Sequence, residues 1–267
     1  MSDRFSPKKY TVSIPQGEVC WQAPSNIALI KYWGKKEIQI PRNPSLSFTL
    51  TACATRTSVA YSVRTDHSSD YSIDFYFEGE KKEDFLPKIN TFFKRAQPYL
   101  PFLSTYHFEI RSENTFPHSS GIASSASSMA ALAICFVDIE RQLLGLPDED
   151  LDHTKASFIA RLGSGSACRS VQGKIVEWGV HEETNGSSDL YGIDWEEEAH
   201  EIFKTYHDTI LLIDQGEKQV SSTVGHGLME DHTYAERRFS QAHEHLSQLQ
   251  DALRSGDLES FITLVEL

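Results

Sequence analysis

The sequence predicts an α+β fold in two lobes, on three observations. Strand-forming segments crowd the first half and helix-forming segments the second, without the regular alternation of a doubly wound sheet. The length of 267 residues suits one large domain or two small ones. Residues 180–200 hold seven acidic residues and no Lys or Arg, which marks a boundary between residues 1–185 and residues 186–267. There is no internal repeat and no low-complexity tract.

Residues 10–14 and 18–23 read as two short strands around the turn signal Pro15-Gln16-Gly17. Residues 45–63, rich in Thr, Val, Phe and Tyr, read as one long strand or two short ones. Residues 71–77 alternate apolar and polar side chains, as a half-buried strand does. Phe85, Ile89, Phe92 and Phe93 set a helical period over 81–96, and residues 106–111 read as a strand. A polar loop, 114–123, opens into a small-residue helix over 124–144 that stops at Gly145. Residues 147–162 read as a second helix with acidic residues in its first turn. Residues 163–169 are a loop or helix start, and 173–178 and 209–213 are strands. The acidic stretch 180–200 reads as a loop and a solvated helix, and the chain from about 222 as helix broken at Ser255-Gly256.

Hydrophobic residues make up 39% and charged residues 24%, the balance of an ordinary folded chain. The net charge of −13 argues against nucleic acid or anionic membrane as partner, since both are polyanions. Residues 1–60 run against the trend, with eight basic and three acidic residues, and can draw a small anion to one place. Cys20, Cys53, Cys135 and Cys168 are far apart and form no C-x-x-C pair. Residues 1–10 carry no apolar signal core, and the longest apolar run, 129–137, is far below a membrane span. A reducing compartment, most simply the cytoplasm, is expected.

Four segments carry candidate chemistry. Phe116-Pro117-His118-Ser119-Ser120-Gly121-Ile122-Ala123-Ser124-Ser125-Ala126 is a polar loop opening directly into a helix. The free N–H groups and positive dipole end of a first helical turn suit a phosphate, and serine hydroxyls suit phosphate or Mg²⁺. Helix capping by Ser124 and Ser125 is the competing reading. Arg161-Leu162-Gly163-Ser164-Gly165-Ser166-Ala167-Cys168-Arg169-Ser170 alternates Ser with Gly and ends on an arginine, whose planar fork suits a carboxylate or phosphate. A mobile loop before a surface arginine is the alternative there, and Cys168 reads as a small packing residue. Residues 23–35 place Lys31 and Lys35 around Tyr32 and Trp33, either as phosphate ligands or as snorkelling lysines on a core strand. Residues 218–225 start a helix with three hydroxyls. The histidines make no sequence pattern typical of a metal site.

In this order the motifs resemble the diphosphomevalonate decarboxylase family of the GHMP kinase superfamily. Residues 23–35 match its A-P-x-N-I-A-x-x-K-Y-W-G-K motif, and residues 161–170 its R-x-G-S-G-S-A-x-R-S motif, followed by Glu177-Trp178. Residues 45–50, 114–126 and 217–225 are similar to its strand, phosphate-loop and E-K-x-x-x-S-T-x-G segments. Pro44, His118 and Ser119 depart from the family's usual residues.

The resemblance implies a two-lobed GHMP-kinase-like fold. Its N-terminal lobe would resemble domain 2 of ribosomal protein S5, and its C-terminal lobe a ferredoxin-like layer, here incomplete. It implies ATP- and Mg²⁺-dependent decarboxylation of mevalonate 5-diphosphate to isopentenyl diphosphate through phosphorylation of the 3-hydroxyl, by a cytoplasmic homodimer. Carried over by position, Lys35 and Arg169 would be catalytic, with Arg169 orienting the departing carboxylate. Asn26, Tyr32, Lys35, Ser164, Ser166, Arg169 and Ser222 would bind substrate. Gly121, Ser124 and Ser125 would cradle ATP, with a Ser124 or Ser125 hydroxyl near Mg²⁺. Family members continue past a helix like 257–267 to a D-A-G-P-N-like segment bearing an aspartate beside the 3-hydroxyl. No D-A-G-P occurs in these residues, so the 267-residue polypeptide is expected to have little or no decarboxylase activity. A sister 3-kinase or decarboxylase acting on mevalonate or its monophosphate, and a non-catalytic phosphate-binding fragment, share the same motifs.

Overall fold

The hydroxyl-rich run at 45–63 becomes the spine of the fold. The computed structural model describes residues 3–66, 69–117, 121–195, 198–205, 207–211, 225 and 227–266. It makes the run a single 19-residue strand, β4 (Ser45–Val63). The strand β1 (Gln16–Ile30) pairs antiparallel along it. A register shift after Pro24 moves the pairing from Ala54 to Leu50, leaving Thr51, Ala52 and Cys53 opposite no residue of β1. Proline has no N–H for a ladder, so the irregularity falls where the bonding is already interrupted. Strand β1 continues through the 23–30 segment, so half of the first motif is built into a sheet.

Two short strands, β2 (Lys35–Lys36) and β3 (Ile40–Pro41), form a separate hairpin. On the side away from β1, the spine has two neighbours. Residues 55–63 pair with β7 (Tyr106–Asn114), and 45–48 with β8 (Ile175–Trp178). Strand β5 (Ser72–Phe77) lies parallel to β7 and carries β6 (Glu80–Lys81) at one edge, while β9 (Ile193–Asp194) pairs with β8 at the other.

Helix α1 (Leu86–Ala96), α2 (Ser124–Leu143) and α3 (His153–Gly163) cover this sheet. Ala130, Ala131 and Ala133 of α2 are fully buried, because side chains this small let the helix lie close on β1 and β4. Phe92 and Phe93 of α1 reach Phe136 of α2 with ring centroids 6.1 and 5.1 Å apart. A second core joins Ile30, Leu46, Phe48 and Ile175 of the sheet to Leu246, Leu249 and Leu253 of α4 (Ala235–Ser255). Gly256, at φ +79°, ends α4 in the left-handed region before α5 (Leu258–Glu266), as the Ser255-Gly256 break predicts.

Four elements differ from the sequence reading. Residues 10–14 form no strand; instead the N–H groups of Thr11 and Val12 both bond the Leu143 carbonyl at the end of α2. The helix expected over 147–162 begins at His153, where Asp152 caps the Lys155 N–H at 2.8 Å. Residues 180–195 are not solvated throughout: β9 extends the sheet, and Trp195 is buried in the second core. The segment 209–211 is no strand, and 212–213 lie outside the described residues.

Glu177 of β8 is fully buried, and its Oε2 accepts from Thr184 Oγ1 (2.9 Å) and from Gln250 Nε2 of α4 (2.8 Å). Burial pushes its carboxyl up to about 7, against the opposing effect of those two donors. The folded protein therefore holds this proton more tightly than the unfolded chain. That contribution is complete below the ordinary value of 4.5 and lost as pH rises through about 7. Glu177→Gln is expected to be more stable than the parent at pH 8, by about 1–3 kcal/mol. Urea melts from pH 5 to 8 check this: the gap should close toward pH 5, and a gap of the same size at both ends would refute the assignment.

Candidate active site

The second half of β1, the start of α2 and the segment after α3 converge on one cleft of about 320 Å³. Asn26, Lys31, Tyr32 and Lys35 line it from the first motif, Gly121 and Ser125 from the loop-to-helix motif, and Ser164, Ser166 and Arg169 from the Gly-Ser segment. No acidic residue is among the described residues that line it. Three segments up to about 140 positions apart thus meet, as their shared anion chemistry predicts.

Arg169 is buried, so the surface-arginine alternative fails. Its Nη1 donates to Ser45 Oγ, and Nε and Nη2 reach Asn26 Oδ1 at 3.4 and 3.3 Å. The guanidinium also lies 5.8 Å from each of the Tyr32 and Trp178 ring centroids. Asn26 is held in turn, with Nδ2 donating to Ser170 Oγ (2.7 Å) and to the Ser166 carbonyl (3.1 Å). All of these partners are neutral. A buried cation with no carboxylate beside it among the described residues is arranged to receive an anion.

Tyr32 meets Trp178 edge-on, centroids 4.9 Å apart, and burial pushes its hydroxyl up to about 12 despite Arg169 nearby. It therefore stays a neutral donor. Gly165 permits this contact: a Cβ there would come within 2.8 Å of the Trp178 ring and 3.3 Å of the Tyr32 oxygen. Cys168 is buried, its Sγ 3.1 Å from the Gly165 carbonyl, and burial pushes its thiol up to about 12. It packs, and it is no nucleophile at neutral pH. Asn43 braces the turn bearing Tyr32 and Lys35, with Oδ1 accepting from the Trp33 N–H (3.0 Å) and Nδ2 donating to the Lys31 carbonyl (2.9 Å).

The Lys35 ammonium is held below its ordinary value, first by burial and then by the charges of Arg95 and Lys88. Lys88, on α1, is a site residue that the sequence reading missed. It lines the cleft, and its Nζ lies 3.3 Å from Ser125 Oγ. Nothing in the helical period around it separates it from a surface lysine; only the docking of α1 beside α2 brings it in. It also borders a neighbouring apolar cavity lined by Phe75, Phe77, Phe85, Ser124 and Ser125. Ser124 thus faces that cavity rather than the main cleft. Neither serine caps α2: the N-cap is Ala123, left-handed at φ 53° and without a side-chain bond. The Ser25 hydroxyl donates to the Ile122 carbonyl and ties the loop to β1. Residues 118–120 and Ser222, with most of the 217–225 segment, lie outside the described residues.

Among the described residues no group of three His, Cys, Asp or Glu could hold a metal ion. The donors at the start of α2 are hydroxyls, which fit Mg²⁺, a hard ion that takes few protein ligands and keeps its water or phosphate oxygens. No helix of the described residues is long and apolar enough to cross a membrane.

Residues 23–190 match the model of the diphosphomevalonate decarboxylase-like N-terminal domain. The chain is 33% identical to diphosphomevalonate decarboxylase mvd1 of Aspergillus fumigatus over 260 residues, 90% of this chain and 60% of that one. The chain thus spans about 60% of the length of such curated relatives. It superposes on mevalonate diphosphate decarboxylase from Staphylococcus aureus with a TM-score of 0.75 at 30% identity, covering 94% of this chain and 71% of that one. It superposes on MDDEF in complex with MVAPP, AMPPCP and magnesium with a TM-score of 0.71 at 30% identity, covering 94% and 72%. The anion cleft sits inside the matched region, and by that match and by its fold this chain belongs to the diphosphomevalonate decarboxylase family.

Proposed function

We propose that the chain contributes the substrate and nucleotide sites of an ATP-dependent decarboxylase. The enzyme would phosphorylate the 3-hydroxyl of mevalonate 5-diphosphate and release phosphate and CO2 to give isopentenyl diphosphate. The observation that carries this reading is the cleft itself: Lys35, Lys88 and Arg169 converge with serine hydroxyls and a helix N-terminus, and no acidic side chain lines it among the described residues. Such a site suits two polyanions brought together, where positioning and charge compensation matter more than a nucleophile. The MDDEF neighbour, in complex with MVAPP, AMPPCP and magnesium, supports it.

In this reading Arg169, preset by Asn26 and Ser45, orients the substrate carboxylate. Ser164 and Ser166 hold the diphosphate, with Ser222 from outside the described residues. Neutral Tyr32 and charged Lys35 face the substrate phosphates or the reacting end. Gly121, Ser124, Ser125 and Lys88 hold the ATP phosphates, and the phenylalanine-lined cavity beside them takes the base. Mg²⁺ bound near Ser124 or Ser125 would offset phosphate charge. A cytoplasmic location and a homodimer belong to the same proposal, the first supported by the cysteine pattern and the second by family resemblance.

Calorimetry on the chain with mevalonate, its 5-phosphate and its 5-diphosphate tests the reading. Affinity should rise with each phosphate, and Lys35→Met should weaken diphosphate binding by roughly tenfold or more, the worth of one charged hydrogen bond. Equal affinity for all three compounds would overturn it.

A further inference from the structure

His181 lies just past β8 and is buried, although the motifs make no use of it. Its Nδ1 is 3.4 Å from Nδ1 of His243 on α4, and the ring centroids are 5.6 Å apart. Its other nitrogen, Nε2, lies 3.3 Å from Ser247 Oγ. That hydroxyl is also placed to donate to the His243 carbonyl, at 3.4 Å. With its proton directed there, the hydroxyl accepts from Nε2–H. That arrangement puts the His181 proton on Nε2 and leaves the Nδ1 lone pair to face the second ring.

Two facts about the separation bear on what this pair can hold. The separation exceeds the usual N–H donor distance of about 2.9–3.0 Å. It equals the span of two ligands of one tetrahedral ion, because metal–nitrogen bonds of about 2.05 Å at a tetrahedral angle place the nitrogens about 3.3–3.4 Å apart. The Ser247 contact supplies the outer-sphere bond that holds a ligating imidazole in its tautomer. Burial lowers the proton affinity of both rings, which favours the neutral form that can ligate. The acidic groups acting on the pair are Glu182 on both rings, Glu183 on His181, 3.9 Å from its Nε2, and Asp189 on His243.

We propose that His181 and His243 bind a borderline divalent transition-metal ion through their Nδ1 atoms, pinning the loop after β8 to α4. Solvent completes the coordination, since no third ligand converges on the rings among the described residues. Glu182, whose charge acts on both, offsets that of the ion. The pinned loop also carries the Asp189 carbonyl that accepts from Trp178 Nε1 (2.9 Å), so the same loop holds the ring that packs on Tyr32 in the cleft.

Zn²⁺ titration of the chain at pH 7.5 by calorimetry, with thermal melts, tests the site independently of any activity. One equivalent should bind and raise the melting temperature. His181→Gln and His243→Gln should each weaken binding by at least about tenfold, while His232→Gln should leave it unchanged. Bound Co²⁺ should show the visible absorption of nitrogen ligation, lost in the same two variants. If His181→Gln does not fold, His243→Gln decides alone, because that ring is only half-buried. Undiminished Zn²⁺ binding in folded His243→Gln, or no stoichiometric binding by the parent, would overturn the proposal and leave the pair a hydrogen bond.

Discussion

Arg169→Lys is expected to weaken mevalonate 5-diphosphate binding by roughly tenfold to a hundredfold with the fold intact. All three guanidinium nitrogens of the arginine reach Asn26 or Ser45, both neutral, and the group lines the cleft with its remaining N–H groups. A lysine keeps the charge but has no planar fork, so it cannot bond Asn26 and Ser45 and still present two parallel donors to a carboxylate. One lost charge-assisted hydrogen bond is worth about 1.5–3 kcal/mol, which sets the range. Calorimetry with the parent and the variant measures it. If affinity changes less than twofold, Arg169 is structural and the carboxylate is bound elsewhere. Mevalonate 5-diphosphate and its analogue lacking the carboxylate separate the two cases, since the variant should no longer distinguish them.

Lys155→Met is expected to cost about 3–5 kcal/mol of stability, because it strands a buried carboxylate. Lys155 of α3 reaches both carboxylate oxygens of Glu140 on α2 at 2.7 Å, and the side chains are 8% and 4% exposed. Burial already holds the Glu140 carboxyl above its ordinary value even with Lys155 in place. Without the lysine it must take a proton to stay inside. A raised carboxyl favours folding below its unfolded value and loses that contribution as pH rises. The variant's deficit should therefore grow from acid toward neutral pH. Melts should show a drop of the order of 10 °C near pH 7. Adding Glu140→Leu should recover most of it, since an apolar pair of similar volume replaces a buried ion pair with little loss. A single variant as stable as the parent at pH 7 would mean that water reaches Glu140.

Most of the regular elements were legible because their periodicity is local. The apolar spacing of Phe85, Ile89, Phe92 and Phe93 and the small residues of 124–144 belong to helices in any fold that buries them. The failures came where a partner decides. Residues 10–14 have strand-forming side chains, but the end of α2 takes their N–H groups. The segment 180–195 has a solvated composition, but Trp195 is large enough to fill part of the second core.

The site divides in the same way. Residue types and order within three short segments marked Tyr32, Lys35, Gly121, Ser125, Ser164, Ser166 and Arg169 as anion-site candidates, and the family resemblance added Asn26. Each segment is a local chemical device, and the fold places all eight on one cleft. Only the tertiary structure brought in Lys88 from α1, the Asn43 brace beneath the lysine-bearing turn, the Ser45 contact on Arg169, and the His181–His243 pair 62 positions apart. No sequence period relates such residues. Their chemistry arises when helices dock on a sheet, and docking follows from which apolar faces fit together, a property of the whole chain and not of any window along it.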